Sequence, residues 1–111
     1  MPITLQILHA SDLEAGIANF DDIVNFSRVV NALKDDFPNT LILSSGDNYI
    51  PGPFFSAASD STLRSVLGRE GIGRADIAVQ NAIGFQAAAF GNHEFDLGPA
   101  TVQSLIAVDR D

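Results

Sequence analysis

Residues 87–98 read AAAFGNHEFDLG: small apolar residues break at Gly91 and open into Asn92, His93, Glu94 and Asp96. Two other apolar runs end in the same manner, one in HASDLEAG with Asp12 and Glu14, the other in SSGDNY with Asp47. Carboxylates, an amide and an imidazole together suit divalent cations of intermediate hardness, such as manganese, iron(II), zinc or magnesium. A carboxylate has two oxygens and can bridge a pair of ions. Such a pair clamps the attacking and leaving oxygens of a phosphoryl centre and lowers the pKa of a bound water.

This chemistry needs the three clusters to meet, and the surrounding pattern says how they would. Residues 3–8 (ITLQIL) predict a strand that ends at His9. Residues 21–37 place Ile23, Phe26, Val29, Val30, Leu33 and Phe37 on one helical face, with Asp21 and Asp22 in the first turn. A second strand is predicted at 40–45, followed by the Gly- and Pro-punctuated loop GDNYIPGPFF. Short helices are predicted at 60–69 and 74–83, a third strand at 85–90 and a last helix at 99–108. Strands separated by helical crossovers form a parallel sheet with right-handed connections. Parallel strands share one C-terminal edge, where open α/β folds place their sites. Asp12, Glu14, Asp47, Asn92 and His93 are therefore expected on a single rim.

The chain has 111 residues, a net charge of −8 and no cysteine, which limits it to one domain without disulfides or thiolate metal ligands. Its six Lys and Arg are scattered, so no basic patch offers itself to a nucleic-acid duplex. The acidity opposes an anionic substrate unless bound cations reverse the local field. No apolar run approaches membrane-spanning length. No ordinary N-terminal signal peptide is visible, and export by another route stays open, so the compartment is not legible.

In that order and at those separations, SDLE, GDN and GNHEFD resemble the calcineurin-like metallophosphoesterases, and among them the 5′-nucleotidase branch. PGPFF after Asp47 and the run AIGFQAAAFGNHEFD are similar to that branch as well, so the resemblance extends from Leu5 to about Leu105. It implies the N-terminal portion of a four-layer α/β/β/α sandwich. The remainder of the catalytic domain and a substrate-binding domain would lie outside these residues. It also implies two divalent metal ions, drawn from manganese, magnesium, calcium, iron or zinc. Asp12 would hold the first ion, Asp47 would bridge both, and Asn92 would hold the second and contact a phosphate oxygen. His93 would lie outside the metals and stabilise the transition state or protonate the leaving oxygen. Asp96 would orient that imidazole and hold it protonated.

Two departures qualify the resemblance. The family's first motif reads Asp-x-His, and here Glu14 takes the third position, substituting oxygen for nitrogen and favouring a harder ion, manganese, magnesium or calcium. The family's later histidines, including a Gly-His-x-His stretch, have no counterpart, because only His9 and His93 are present. The implied function is thus metal-dependent hydrolysis of phosphate esters, 5′-nucleotides or related phosphomonoesters, by a longer protein whose N-terminal part is inactive alone. The alternative is a non-catalytic binding module that keeps the fold. Half a sandwich would leave an apolar sheet face uncovered, so self-association of this chain is expected.

Each residue also has an ordinary reading. Asp12, Glu14 and Asp47 taken singly are turn residues, and Asn92 tolerates left-handed backbone. Glu94 either supports the site or is a solvated acid. His9 reads as structural, Tyr49, Phe54 and Phe55 as loop packing, and Asp35 and Asp36 as a solvated helix face.

Overall fold

The computed structural model describes residues 1–13 and 20–107. Its elements are β1 (Gln6–Ala10), α1 (Phe20–Asp36), β2 (Thr40–Ser44), α2 (Pro53–Ala57), α3 (Arg64–Leu67), α4 (Arg74–Ile83), β3 (Ala87–Ala88) and α5 (Pro99–Ala107). Turns of 3₁₀ helix cover Ser61–Leu63 and His93–Phe95. The three strands are parallel in the order β1-β2-β3, in register Gln6↔Thr40 to Ala10↔Ser44 and Leu43↔Ala87 to Ser44↔Ala88. The result is a mixed α/β fold.

A sheet whose order follows the chain, joined by right-handed crossovers, carries its crossover helices on one face. The packing agrees. Val30 of α1 and Ile83 of α4 are buried with Ile42 of β2, and Leu8, Phe26, Val79 and Phe85 close around them. A second small core lies beside α2, α4 and α5, where Tyr49, Phe55 and Leu105 are buried with Ile77 against them. The rings of Tyr49 and Phe55 stack with centroids 5.2 Å apart. These aromatics are loop packing, as their position after Asp47 suggested.

The expected elements differ from the observed ones in telling places. β1 begins at Gln6 because its partner begins at Thr40, so Ile3 and Leu5 have no strand opposite them. Only Ala87 and Ala88 pair in β3. The Gln86 side chain extends that edge by accepting from the Ile42 amide at 2.9 Å. The loop after Asp47 contains a short helix, α2, because Pro53 occupies its first turn, where the missing N–H costs nothing. The 60–69 segment is a 3₁₀ turn running into α3, capped by Asp60, whose side chain accepts from the Thr62 amide. A hydrogen bond from the Thr62 hydroxyl at 2.7 Å, then the one from its amide, hold the exposed Asp60 carboxyl below its ordinary pKa.

Candidate functional site

The C-terminal tips of all three strands converge on one edge. The Asp12 amide donates to the Gly46 carbonyl at 3.0 Å, which joins the tip of β1 to that of β2. The tip of β3 is joined to β2 through Asp47, whose Oδ1 accepts from the His93 amide at 2.9 Å. Asp12 and Asp47 are the two described non-glycine residues with positive φ, at 54° and 51°. Such backbone is uncommon outside glycine and gathers where a side chain must be aimed.

The turn that aims Asp47 is wound by its own polar groups. Ser44 Oγ donates to Asn48 Oδ1 at 2.5 Å and accepts from the Gly46 amide at 3.2 Å. Two glycines let the β2 and β3 loops touch. A Cβ on Gly46, at φ 106°, would collide with the Gly91 backbone, and one on Gly91 would collide with Asp47 Oδ1. Gly91 therefore has to be small for Asp47 to sit where it does.

His93 opens the 3₁₀ turn at the tip of β3, and its Nδ1 lies 2.7 Å from Asp96 Oδ2, three residues on. A carboxylate at that distance accepts the Nδ1 proton and fixes the ring, leaving Nε2 as the nitrogen Asp96 does not engage. Asn92 immediately precedes the turn and is exposed. Glu14 lies outside the described residues. His9 is not drawn into the cluster, since its Nε2 contacts Ser45 Oγ at 3.1 Å.

Glu94 is the residue that sequence reasoning left undecided. It is 3% exposed, and its carboxylate accepts three backbone N–H bonds, from Asp47 (2.9 Å), Asn48 (2.7 Å) and Gly91 (2.7 Å). The Tyr49 hydroxyl reaches the Glu94 carbonyl at 3.4 Å. Burial, then the nearby Glu94 and Asp76 carboxylates, push the Tyr49 phenol up to about 12, so it stays a donor. Glu94 is thus no solvated acid. The spacing in GNHEFD gave no hint of this, because two of the three bonded amides lie more than forty positions upstream.

Whether this edge suits divalent cations can be judged from its donors. Asp12, Asp47 and the Asn92 amide offer hard oxygen atoms, which fit manganese or magnesium. Among the described residues, no three His, Cys, Asp or Glu side chains form a metal-holding cluster. A cleft of about 380 Å³ bordered by Arg69, Glu70, Arg74, Thr101 and Ser104 includes none of these residues.

Over 103 residues, 93% of this chain, the sequence is 25% identical to the trifunctional nucleotide phosphoesterase protein YfkN of Bacillus subtilis (strain 168). The likeness is to a phosphoesterase. The chain spans 6% of that protein's length. No family model matches the chain, and no solved structure matches it. At this identity the likeness gives the metallophosphoesterase resemblance weak support and does not by itself establish membership. No described helix is long and apolar enough to cross a membrane.

Proposed function

We propose that this edge is part of a metal-dependent phosphoesterase site acting on nucleotides or related phosphomonoesters. The observation that carries the reading is the junction of the three strand tips, Asp12 N–H to Gly46 carbonyl and His93 N–H to Asp47 Oδ1. Sequence-distant ligand-type side chains are thereby gathered at the C-terminal edge of a parallel sheet. Bound divalent cations would supply Lewis-acid charge and a nucleophile at neutral pH. Asp12, Glu14, Asp47 and Asn92 would hold them, with Asp47 shared. Asn92 would also orient a phosphate oxygen. His93, its ring fixed by Asp96, would present Nε2 to the developing charge or hand a proton to the leaving oxygen. The chain would be the N-terminal part of the catalytic domain, with the remaining ligands supplied elsewhere in a longer protein.

A generic chromogenic phosphomonoester tests this in the protein that carries the chain. Hydrolysis should require Mn²⁺, stop with chelator, and fall by about 10²–10⁴-fold in His93→Ala. Full activity in that variant overturns the role given to His93. A second reading, a non-catalytic binding module, draws on the incomplete cluster of described ligands. It predicts Mn²⁺ binding with no hydrolysis under any condition.

A further inference from the structure

We propose that Glu94 is a positioning residue that sets the metal affinity of the edge without touching metal or substrate. Three backbone N–H groups take most of the acceptor capacity of its two oxygens, and at 3% exposure it is buried behind the loops that it joins. What it holds is the geometry of others. Two of the three amides belong to Asp47 and Asn48, and the third to Gly91. Glu94 therefore clamps the β2 loop to the β3 loop at the one place where Gly91 and the Asp47 carboxylate are in contact.

Asp47 sits at φ 51°, a conformation uncommon outside glycine although aspartate adopts it more readily than most residues. Something must hold it there, and a buried carboxylate accepting from its amide does so directly. A charge-assisted bond is roughly twice as strong as a neutral one, and three converge on this group. Asp47 Oδ1 in turn accepts from the His93 amide. One buried side chain thus fixes the aspartate, the glycine that makes room for it and the start of the histidine turn. A neutral amide at position 94 keeps one acceptor and turns a donor toward backbone N–H groups, which breaks the clamp with little change in shape.

The proposal rests on the metal-site reading above, and the experiment separates the two. In the protein that carries the chain, Glu94→Gln is compared with the unaltered sequence by amide hydrogen exchange without metal and by Mn²⁺ titration. Ile83→Ala, a core truncation remote from the edge, serves as the control for lost stability. In Glu94→Gln, the Asp47, Asn48 and Gly91 amides should lose protection while α1 amides keep theirs. Mn²⁺ affinity should fall by about 10–100-fold, as when a partner behind a metal ligand is removed. Ile83→Ala should bind Mn²⁺ as the unaltered chain does. Unchanged protection at the three amides overturns the proposal, and so does an equal loss of affinity in Ile83→Ala. If the protein that carries the unaltered chain binds no Mn²⁺, the metal-site reading fails and, with it, the proposed effect on affinity. Should Glu94→Gln not fold, scalar couplings across the hydrogen bonds from the three amides to the Glu94 carboxylate carbon decide the clamp in the unaltered chain. Their absence overturns it.

Discussion

Asp12 is where the cost of the site shows most plainly. Its positive φ is a strain that glycine would relieve, and its contacts in the fold are slight: an amide bond to Gly46 that any residue keeps, and a bond from Ser11 Oγ at 2.6 Å. Asp12→Gly should therefore leave stability within about 1 kcal/mol of the parent or raise it, as strain relief offsets glycine's extra chain entropy. Mn²⁺ binding should weaken in the same variant. Urea unfolding and metal titration on one sample check both, and a variant that is far less stable with unchanged metal affinity contradicts the assignment. Gly91 makes the opposite case. A methyl there would occupy the space of Asp47 Oδ1, so Gly91→Ala should cost about 1–3 kcal/mol in unfolding free energy, the usual range for overpacking. It should also remove protection from the His93 amide, which depends on that oxygen.

Among the elements, α4 carries an unusual load. Asp76 in its first turn is 4% exposed, and among the described residues neither carboxylate oxygen has a hydrogen-bond partner; one turn on, Gln80 Nε2 has none either. Burial pushes the Asp76 carboxyl up to about 6, only partly offset by the polarity of its own backbone N–H, which lies outside hydrogen-bond geometry. The folded pKa is thus above the unfolded one. Asp76 favours the fold at pH below its unfolded value near 3.8, and that contribution is lost as pH rises through about 6. The amount lost is on the order of 2–3 kcal/mol. Asp76→Asn should flatten the stability profile between those values and leave the protein more stable at pH 7, measured by urea unfolding across pH. A profile still falling over that window in the variant contradicts the assignment. α4 was also the element most legible in the sequence, because Gly73 and Gly84 bracket an apolar period that includes Ile77 and Ile83. β3 was legible in place but not in extent. A run such as FQAAAF states strand preference, whereas pairing depends on how much of a neighbour lies alongside. That Asp12, Asp47, Asn92 and His93 follow the C-terminal ends of parallel strands was legible from the alternation of strands with helical crossovers. The Glu94 clamp was not, because it rests on hydrogen bonds across the fold that no local pattern encodes.

At the scale of the molecule, the one-sided placement of α1 and α4 has a consequence. On the other face Ile7 is 57% exposed, and it stands beside Leu41, with Leu43 and Ala87 next along the register. Phe90 beyond β3 is 55% exposed. The radius of gyration is 14.9 Å, against about 13 Å for a compact chain of this length. The accessible surface is 7127 Å², where a compact monomer of 11.8 kDa would show about 5,900 Å². The excess is larger than the roughly 800 Å² each partner contributes to a standard interface. Against association stands the net charge of −8, a repulsion that salt screens within about 8 Å at physiological strength. The isolated chain should therefore self-associate with rising concentration, and more so at higher salt, as read by sedimentation velocity. Leu5→Lys with Ile7→Lys separates the two forces. The lysines make the net charge less negative, so a purely electrostatic barrier would weaken and association would increase. If the bare sheet face drives assembly, the same change breaks it up, because burying unpaired lysines against a second copy is costly. A chain that stays monomeric at high salt and high concentration shows that this face does not drive association.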